Sequence, residues 1–176
     1  MDRHTLAATV HARAHLTGEF LLRSGATSRE YFDKYRFEAD PRLLRSLAEA
    51  LAPLVPDGTE VLAGLELGGV PLAVMLSQVT GLPTAFVRKE AKRYGTCRLA
   101  EGADVDGRRV LVVEDVVTSG GQVVASTEDL RAAGAEVDYA LCVIDRQAGG
   151  ADALAGSGVA LRSLFTMAQL KAAAAG

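Results

Sequence analysis

The segment that most constrains the fold is residues 110–121, which read VLVVEDVVTSGG. Its first four residues are apolar and mostly β-branched, a pattern that predicts a buried strand. This strand is predicted to end in two adjacent acids, Glu114 and Asp115, and a turn of small residues then leads into a helix over residues 122–133. A helix start attracts phosphate through its free N–H groups and its dipole, and carboxylates accept hydrogen bonds from sugar hydroxyls. The segment therefore predicts a phosphate site beside a ribose site.

The alternative interpretation is a strand that simply ends in a polar turn. That interpretation leaves two carboxylates beside an anion-binding loop, where they repel the very ligand that the loop attracts unless hydroxyls or a metal intervene. Neither a Gly-Lys-Thr/Ser ending nor a Gly-x-Gly-x-x-Gly pattern follows any predicted strand. P-loop and dinucleotide-binding folds therefore lose support.

The rest of the chain alternates between predicted strands and helices. Strands are predicted over residues 61–65, 84–88, 137–145 and 159–164, and helices over residues 3–16, 41–52, 69–80 and 167–173. Residues 18–37 indicate short strands and turns, and residues 89–107 indicate a long loop. The alternation predicts an α/β fold with a central, mainly parallel sheet flanked by helices. Residues 1–39 break it and are expected to form a small cap, or hood, over residues 40–176 within a single domain spanning 1–176.

The composition is that of an ordinary soluble protein. The 176 residues are 49% hydrophobic and carry a net charge of −3, which fits one domain and argues against nonspecific nucleic-acid binding. No apolar stretch reaches membrane-spanning length, and the N-terminus lacks the apolar core of a signal peptide. Two cysteines, Cys97 and Cys142, do not suggest a disulfide framework, so we expect a cytoplasmic location.

Polar and glycine residues follow four predicted strands at the same end of the sheet. Because ligands bind at the carboxyl ends of parallel strands, we expect residues 66–69, 88–89, 114–115 and 145–146 to converge. The stretch from the end of the second strand onward contains five cations, Arg88, Lys89, Lys92, Arg93 and Arg98. Such a cluster suits a diphosphate leaving group, but a solvated surface loop accounts for it equally well.

Two histidines, His11 and His15, are spaced i, i+4 on the first predicted helix and form a possible metal pair. No third ligand or acidic pattern accompanies them, so a solvated helix face is the favoured interpretation. The sequence predicts no dedicated protein metal site.

Residues 110–122 resemble the signature for 5-phosphoribosyl 1-diphosphate (PRPP) in the type I phosphoribosyltransferases, where hydrophobic residues precede two acids and a short turn with threonine. The resemblance implies the fold of that family, with residues 40–176 as the PRPP-binding core. It also implies that Glu114 and Asp115 hold the ribose 2′- and 3′-hydroxyls. The PRPP site would continue through Val116 and Val117, and Thr118, Ser119, Gly120, Gly121 and Gln122 would wrap the 5′-phosphate.

Residues 86–102 are similar to the catalytic loop of the orotate phosphoribosyltransferase family, which has the pattern Arg-Lys-x-x-Lys-x-His-Gly. Arg88, Lys89 and Lys92 match the pattern, and Tyr94 stands where many members have histidine. The resemblance implies that all four residues bind PRPP. A phenol can donate a hydrogen bond to diphosphate but carries no positive charge near neutral pH.

Other stretches resemble the orotate-contacting parts of the same family. Arg23, Tyr31 and Phe32 match an N-terminal region near the base, with arginine where many members have lysine. Arg146 matches the arginine that meets the carboxylate of orotate, a pairing that suits the two-pronged guanidinium group. Thr118 is implied to contact orotate as well.

Gly68 and Gly69 resemble the turn that binds diphosphate, although many members have lysine at the position of Gly68. The implied reaction transfers the phosphoribosyl group from PRPP to orotate, giving orotidine 5′-monophosphate and diphosphate in pyrimidine (UMP) biosynthesis. Catalysis would rest on positioning and charge stabilisation by Lys89, Lys92 and Asp115.

The resemblance further implies Mg²⁺ as a cofactor, bound mainly through PRPP, and a homodimer with shared active sites that binds neither nucleic acid nor membrane. Two alternative functions stay open. One is a purine phosphoribosyltransferase with the same PRPP signature. The other is a non-catalytic regulator that senses PRPP, although the chain has no recognisable DNA-binding element or basic face.

Overall fold

The computed structural model describes residues 1–21, 25–89 and 99–176. The helices are α1 (Arg3–Ala14), α2 (Tyr35–Glu38), α3 (Pro41–Leu51), α4 (Gly69–Thr80), α5 (Gly121–Ala132), α6 (Gly150–Gly156) and α7 (Met167–Ala175), and a 3₁₀ turn at Ala52–Leu54 follows α3. The strands are β1 (His15–Leu21), β2 (Thr27–Phe32), β3 (Val61–Leu65), β4 (Thr84–Val87), β5 (Ala100–Gly102), β6 (Arg109–Val117), β7 (Glu136–Asp145) and β8 (Ala160–Thr166).

Six strands form the central sheet, in the order β5-β4-β3-β6-β7-β8. Neighbouring strands are parallel except β5, which pairs antiparallel with β4 at one edge. Strand β6 lies between β3 and β7 with both faces covered, and this position explains its continuous apolar run. The predicted α/β fold with a mainly parallel sheet flanked by helices is confirmed.

Two apolar cores lie on opposite faces of the sheet, and β6 contributes to both. Leu111 and Val113 pack into the first core, together with residues of α1, α3, α4 and α7. Val110 and Val112 pack into the second core, together with residues of α5 and α6. The alternation along the strand therefore fixes β6 from both sides and holds its carboxyl end in place. Among the described residues, no helix is long and apolar enough to cross a membrane.

The N-terminal residues divide into a buried helix and a separate hairpin. Helix α1 buries Leu6 and Val10 in the first core and packs against α7. Strands β1 and β2 form their own two-stranded antiparallel sheet. Within residues 1–39, the hairpin is therefore the part that is separate from the central sheet, and its role as a cap stays a prediction.

Two local predictions are wrong, and one helix is missed. Strand β6 continues past Glu114 and Asp115 to Val117, because its pairing with β7 extends to Asp145. Residues 100–102, expected in a loop, form β5 by pairing with β4. Helix α6 was not predicted, since its short Gly- and Ala-rich sequence has no apolar period. The alternation of β3, α4 and β4, by contrast, lies almost residue for residue where the sequence predicts it.

Candidate active site

A cavity of about 340 Å³ opens at the carboxyl ends of β3, β4 and β6. The start of α2, the segments after β3 and β4, and the segment from the end of β6 into α5 all contribute to it. Its lining consists of Lys34, Tyr35, Glu66, Leu67, Lys89, Glu114 and residues 116–123. Three of the four strand ends that we expected to converge thus supply residues to one cavity.

Asp115 lies beneath this cavity and is fully buried. The ammonium group of Lys34 donates to Asp115 Oδ1 at 2.9 Å and lies 2.7 Å from Oδ2. The Val116 N–H also donates to Oδ1, at 2.6 Å. Burial disfavours the charged form of Asp115, but hydrogen bonds from Glu114, Glu38 and Lys34 outweigh burial and lower the pKa of Asp115. Asp115 is therefore the ionised acid of the buried cluster.

Two further carboxyl groups, those of Glu38 and Glu114, surround Asp115. Burial, followed by the hydrogen bond and the negative charge of Asp115, raises the pKa of each to about 9. Burial also opposes the charge of Lys34, yet its contact with Asp115 prevails and raises the pKa of Lys34. At neutral pH the cluster accordingly holds one carboxylate, two protonated carboxyls and one ammonium group, with a net charge close to zero.

The short helix α2 carries half of this cluster. Phe37 is fully buried in the first core and anchors α2 against the sheet. Glu38 is the last residue of that helix, and Lys34 is its N-cap. The packing of one aromatic side chain thus places both residues against the end of β6.

The start of α5 forms an anion-binding loop. Gly120 precedes the helix with a φ of +78°, and a Cβ there would lie 2.7 Å from Leu154 Cδ1, so only glycine fits. The N–H of Val124 donates to the Gly120 carbonyl at 2.9 Å. The N–H groups before Val124 have no acceptor within the helix and lie beside the cavity, an arrangement that favours a phosphate group.

The turn after β3 approaches Asp115 more closely than any side chain would allow. A Cβ at Gly68 would lie 1.7 Å from Asp115 Oδ2 and 2.9 Å from Glu38 Oε1. Glu66, in the same turn, accepts a hydrogen bond from the Lys89 N–H at 3.0 Å. The buried acids therefore leave room only for glycine at position 68.

Residues 36–156 match the family described as phosphoribosyl transferase domain, which covers more than half of the chain. The chain belongs to the phosphoribosyltransferase family. A protein of Nocardioides sp. named orotate phosphoribosyltransferase is 57% identical to this phosphoribosyltransferase over 96% of the chain and 94% of its own length. The orotate phosphoribosyltransferase of Mycobacterium tuberculosis, in complex with Fe(III) dicitrate, is similar with a TM-score of 0.86, 33% identity and coverage of 97% and 99%. The same enzyme in complex with PRPP gives a TM-score of 0.84, 30% identity and coverage of 97% and 99%.

The cavity of this phosphoribosyltransferase contains many of the residues expected to bind PRPP. Lys89, Glu114, Val116, Val117, Thr118, Ser119, Gly120, Gly121 and Gln122 line it. Asp115 and Gly68 lie behind the lining, in contact with each other. Gly69 begins α4, where a Cβ would lie 2.2 Å from the Val113 carbonyl oxygen. Arg88 instead lines a neighbouring cavity of about 410 Å³, together with Phe86 and Glu101.

The residues expected to contact orotate lie further out. Arg146 follows β7, is exposed, and is fixed through its N–H, which donates to the Val117 carbonyl at 2.9 Å. Tyr31 is exposed on β2 and lies 5.5 Å from Phe20, measured between ring centroids. Phe32 is half-buried beside His11. Thr118 is the one residue of this set that lines the cavity, and Arg23, like Lys92 and Tyr94 of the PRPP set, lies outside the described residues.

Sequence reasoning missed Lys34 and Glu38. They are spaced i, i+4, a pattern that is normally the sign of an exposed helical ion pair. Only the buried Phe37 between them signals that this segment turns inward, and one apolar residue is too weak a signal to place a helix.

The two histidines of the phosphoribosyltransferase stack on each other instead of forming a metal pair. The rings of His11 and His15 are 4.8 Å apart, and His15 lies 3.6 Å from Glu30. Within the described ranges, no group of three acidic, histidine or cysteine side chains has the geometry to hold a metal ion.

Proposed function

We propose that this phosphoribosyltransferase transfers the 5-phosphoribosyl group of PRPP to orotate, producing orotidine 5′-monophosphate and diphosphate. The observation that carries the proposal is the match over nearly the whole chain, at 57% identity, with a protein named orotate phosphoribosyltransferase. The cavity at the end of β6 supports it, because it combines an anion-binding loop with adjacent acids. The whole chain acts as one domain in this proposal.

The ribose 5′-phosphate would bind at the start of α5. The N–H groups of residues 118–122 would donate to its oxygens, aided by the helix dipole. The ribose 2′- and 3′-hydroxyls would donate to Glu114 and Asp115, the acids at the end of β6. These contacts would hold C1 of the ribose at the mouth of the cavity, where the bond to diphosphate breaks.

The diphosphate would leave towards the turn at Gly68 and Gly69, with Lys89 neutralising its growing charge. Lys92 and Arg88 would add further positive charge, and the Tyr94 hydroxyl would donate a hydrogen bond to the diphosphate. No residue needs to attack the ribose covalently, because positioning and charge stabilisation suffice for a displacement through an oxocarbenium-like state.

Mg²⁺ fits this site as an ion that arrives with PRPP. Asp115 is paired with Lys34 and Glu114 is protonated, so the chain offers few charged ligands of its own. When bound, Mg²⁺ neutralises the diphosphate and keeps several of its waters. Glu66, which lines the cavity, would meet it.

Orotate would lie between the cavity and Arg146, whose guanidinium group would pair with the carboxylate of the base. Thr118, Tyr31, Phe32 and Arg23 would contact the ring. The exposed position of Arg146, next to the end of β6 through its bond to Val117, supports this role.

The proposed assembly is a homodimer in which the loop after Lys89 reaches the partner's site. Lys89 itself lines the cavity of its own chain, so the shared contribution falls to Lys92 and the residues that follow. The proposed location is the cytoplasm, where a buried thiol such as Cys142 stays reduced.

The decisive test is a substrate panel. Orotate, uracil, adenine and hypoxanthine are each supplied with PRPP and Mg²⁺, and consumption of the base is followed by absorbance. Turnover of orotate alone is the expected result. Turnover of a purine in its place would assign the chain to the purine enzymes, and PRPP binding without turnover of any base would favour the sensing regulator.

A further inference from the structure

Lys34 has no part in the reaction as derived so far, yet it lines the cavity. Its backbone caps α2 and its side chain, about one-third exposed, extends over Asp115. The Lys34 Nζ also lies 5.4 Å from the centre of the Tyr35 ring. The ammonium group therefore has one face towards a buried carboxylate and another towards the open cavity.

The ammonium group of Lys34 occupies the carboxylate of Asp115. A substrate hydroxyl would have to displace this ammonium group before it could bind there. Asp115 is fully buried, and both of its carboxylate oxygens contact Lys34 Nζ, at 2.9 and 2.7 Å. Oδ1 already accepts the Val116 N–H as well. A ribose hydroxyl can reach Asp115 only when the lysine side chain moves, and a four-carbon stem with an exposed end can do so without backbone movement.

The described part of the cavity offers few cations to the leaving diphosphate. Among the described residues that line the cavity, Lys34 and Lys89 are the only basic ones, whereas Glu66 and Glu114 also line it. The turn at Gly68 cannot carry a basic side chain, because Asp115 Oδ2 fills the space of its Cβ. That same oxygen is the one 2.7 Å from Lys34 Nζ, so the ammonium already lies next to this turn.

We propose that Lys34 exchanges partners during the reaction: its ammonium group pairs with Asp115 in the unliganded protein and with the diphosphate of PRPP in the complex. The ribose hydroxyls then take the place of the ammonium group on Asp115. The inference rests on the proposed function, since it assigns a further PRPP-binding residue to the same site. Lys34 supplies the cation that the backbone at Gly68 cannot.

The exchange predicts different effects on PRPP and on ribose 5-phosphate, two ligands that share the ribose phosphate. Lys34→Met retains the length of the side chain and removes its charge. It should weaken binding of Mg²⁺-diphosphate and of PRPP by at least about tenfold, the usual effect of losing a hydrogen bond to a charged group. Binding of ribose 5-phosphate, which lacks the diphosphate, should be unchanged or tighter because nothing then covers Asp115.

The experiment is calorimetric titration of each variant with these three ligands, alongside thermal unfolding. Lys34→Gln, which can still donate to Asp115, gives a second uncharged variant if Lys34→Met does not fold. Lys34→Arg should recover most of the affinity for diphosphate. Lys171→Met, an exposed lysine on α7, is the matched control and should bind all three ligands as the wild type does.

Unchanged affinity for diphosphate in both uncharged variants would overturn the inference. An equal loss for all three ligands would also overturn it, because a purely structural role would affect ribose 5-phosphate as well. These titrations need no base. Failure of the wild type to use orotate would therefore refute the proposed function separately from the role of Lys34.

Discussion

The Cα of Gly68 lies so close to Asp115 that a Cβ at position 68 would be 1.7 Å from Asp115 Oδ2. This contact joins the turn after β3 to the end of β6 and leaves the buried acids no room to shift towards it. It also leaves no room for a lysine side chain at position 68.

Gly68→Ala should therefore destabilise the protein and disturb the site together. Overpacking of this kind costs about 1–3 kcal/mol, and here the displaced atoms are the carboxylate oxygens of Asp115. Urea unfolding and PRPP titration measure the two effects. Gly156→Ala, at the end of α6 with nothing within 4 Å of its new Cβ, is the matched control. Wild-type stability and PRPP affinity in Gly68→Ala would show that the turn can move away from Asp115.

The sequence predicts those elements that are defined by their own residues. Strand β3 and helix α4 are apolar runs bounded by turn residues, so local patterns place both at the observed bounds. Strand β5 has only three residues and exists through its pairing with β4, which no local pattern reveals. The continuation of β6 beyond its acids likewise depends on β7.

The same distinction separates the parts of the candidate site. The acids near the end of β6 and the small-residue turn that follows are one continuous stretch of sequence. The sequence alone therefore predicts that they lie next to each other. The contact of Lys34 with Asp115 joins positions 81 residues apart. It depends on the burial of Phe37, which only the packed structure establishes.

Glu38 should make the stability of the protein fall as the pH rises. Burial, with the charge of Asp115 beside it, raises the pKa of Glu38 to about 9 in the folded protein, well above the ordinary value for an unfolded chain. At pH values between the unfolded-state pKa and the folded-state pKa of Glu38, the folded state binds more protons than the unfolded state. The free energy of unfolding therefore decreases as the pH rises.

Glu38→Gln should flatten this decrease by up to about 1.4 kcal/mol per pH unit, the contribution of one proton. Urea unfolding at pH 6, 7, 8 and 9 measures the slope. Glu128→Gln, which changes an exposed glutamate on α5, should leave the slope as it is in the wild type. An identical pH slope in Glu38→Gln and the wild type would mean that Glu38 is not protonated in the folded state.

Arg146→Ala should weaken the binding of orotate without weakening the binding of PRPP. A bidentate pair between arginine and a carboxylate is worth roughly 1.5–3 kcal/mol, so the KM for orotate should rise at least about tenfold. The KM for PRPP should stay within about twofold, because Arg146 does not line the cavity at the start of α5. Steady-state kinetics with each substrate varied in turn measure both constants. Arg42→Ala, which changes an exposed arginine on α3, serves as the control. If the wild type used uracil and orotate equally well, the proposed role of Arg146 would be wrong.

If the proposed homodimer forms, mixed dimers distinguish a residue that acts in its own chain from one that acts in the active site of the partner subunit. Lys89 lines the cavity formed by its own α5 loop, whereas Lys92 is proposed to reach the neighbouring subunit. Homodimers of Lys89→Ala, Lys92→Ala and Asp115→Asn should each be nearly inactive, since loss of one charge-stabilising group costs about a hundredfold or more in turnover.

Heterodimers of Lys92→Ala with Asp115→Asn should recover towards half of the wild-type activity. If Lys92 acts across the dimer, both defects fall in one site and the other site is intact. Heterodimers of Lys89→Ala with Asp115→Asn should stay inactive, because each site then keeps one defect. Subunits are exchanged by reversible dissociation, differently tagged heterodimers are purified, and turnover is measured per dimer. Recovery in the Lys89 pair would place Lys89 in the partner's site, and no recovery in the Lys92 pair would show that the loop acts within its own chain.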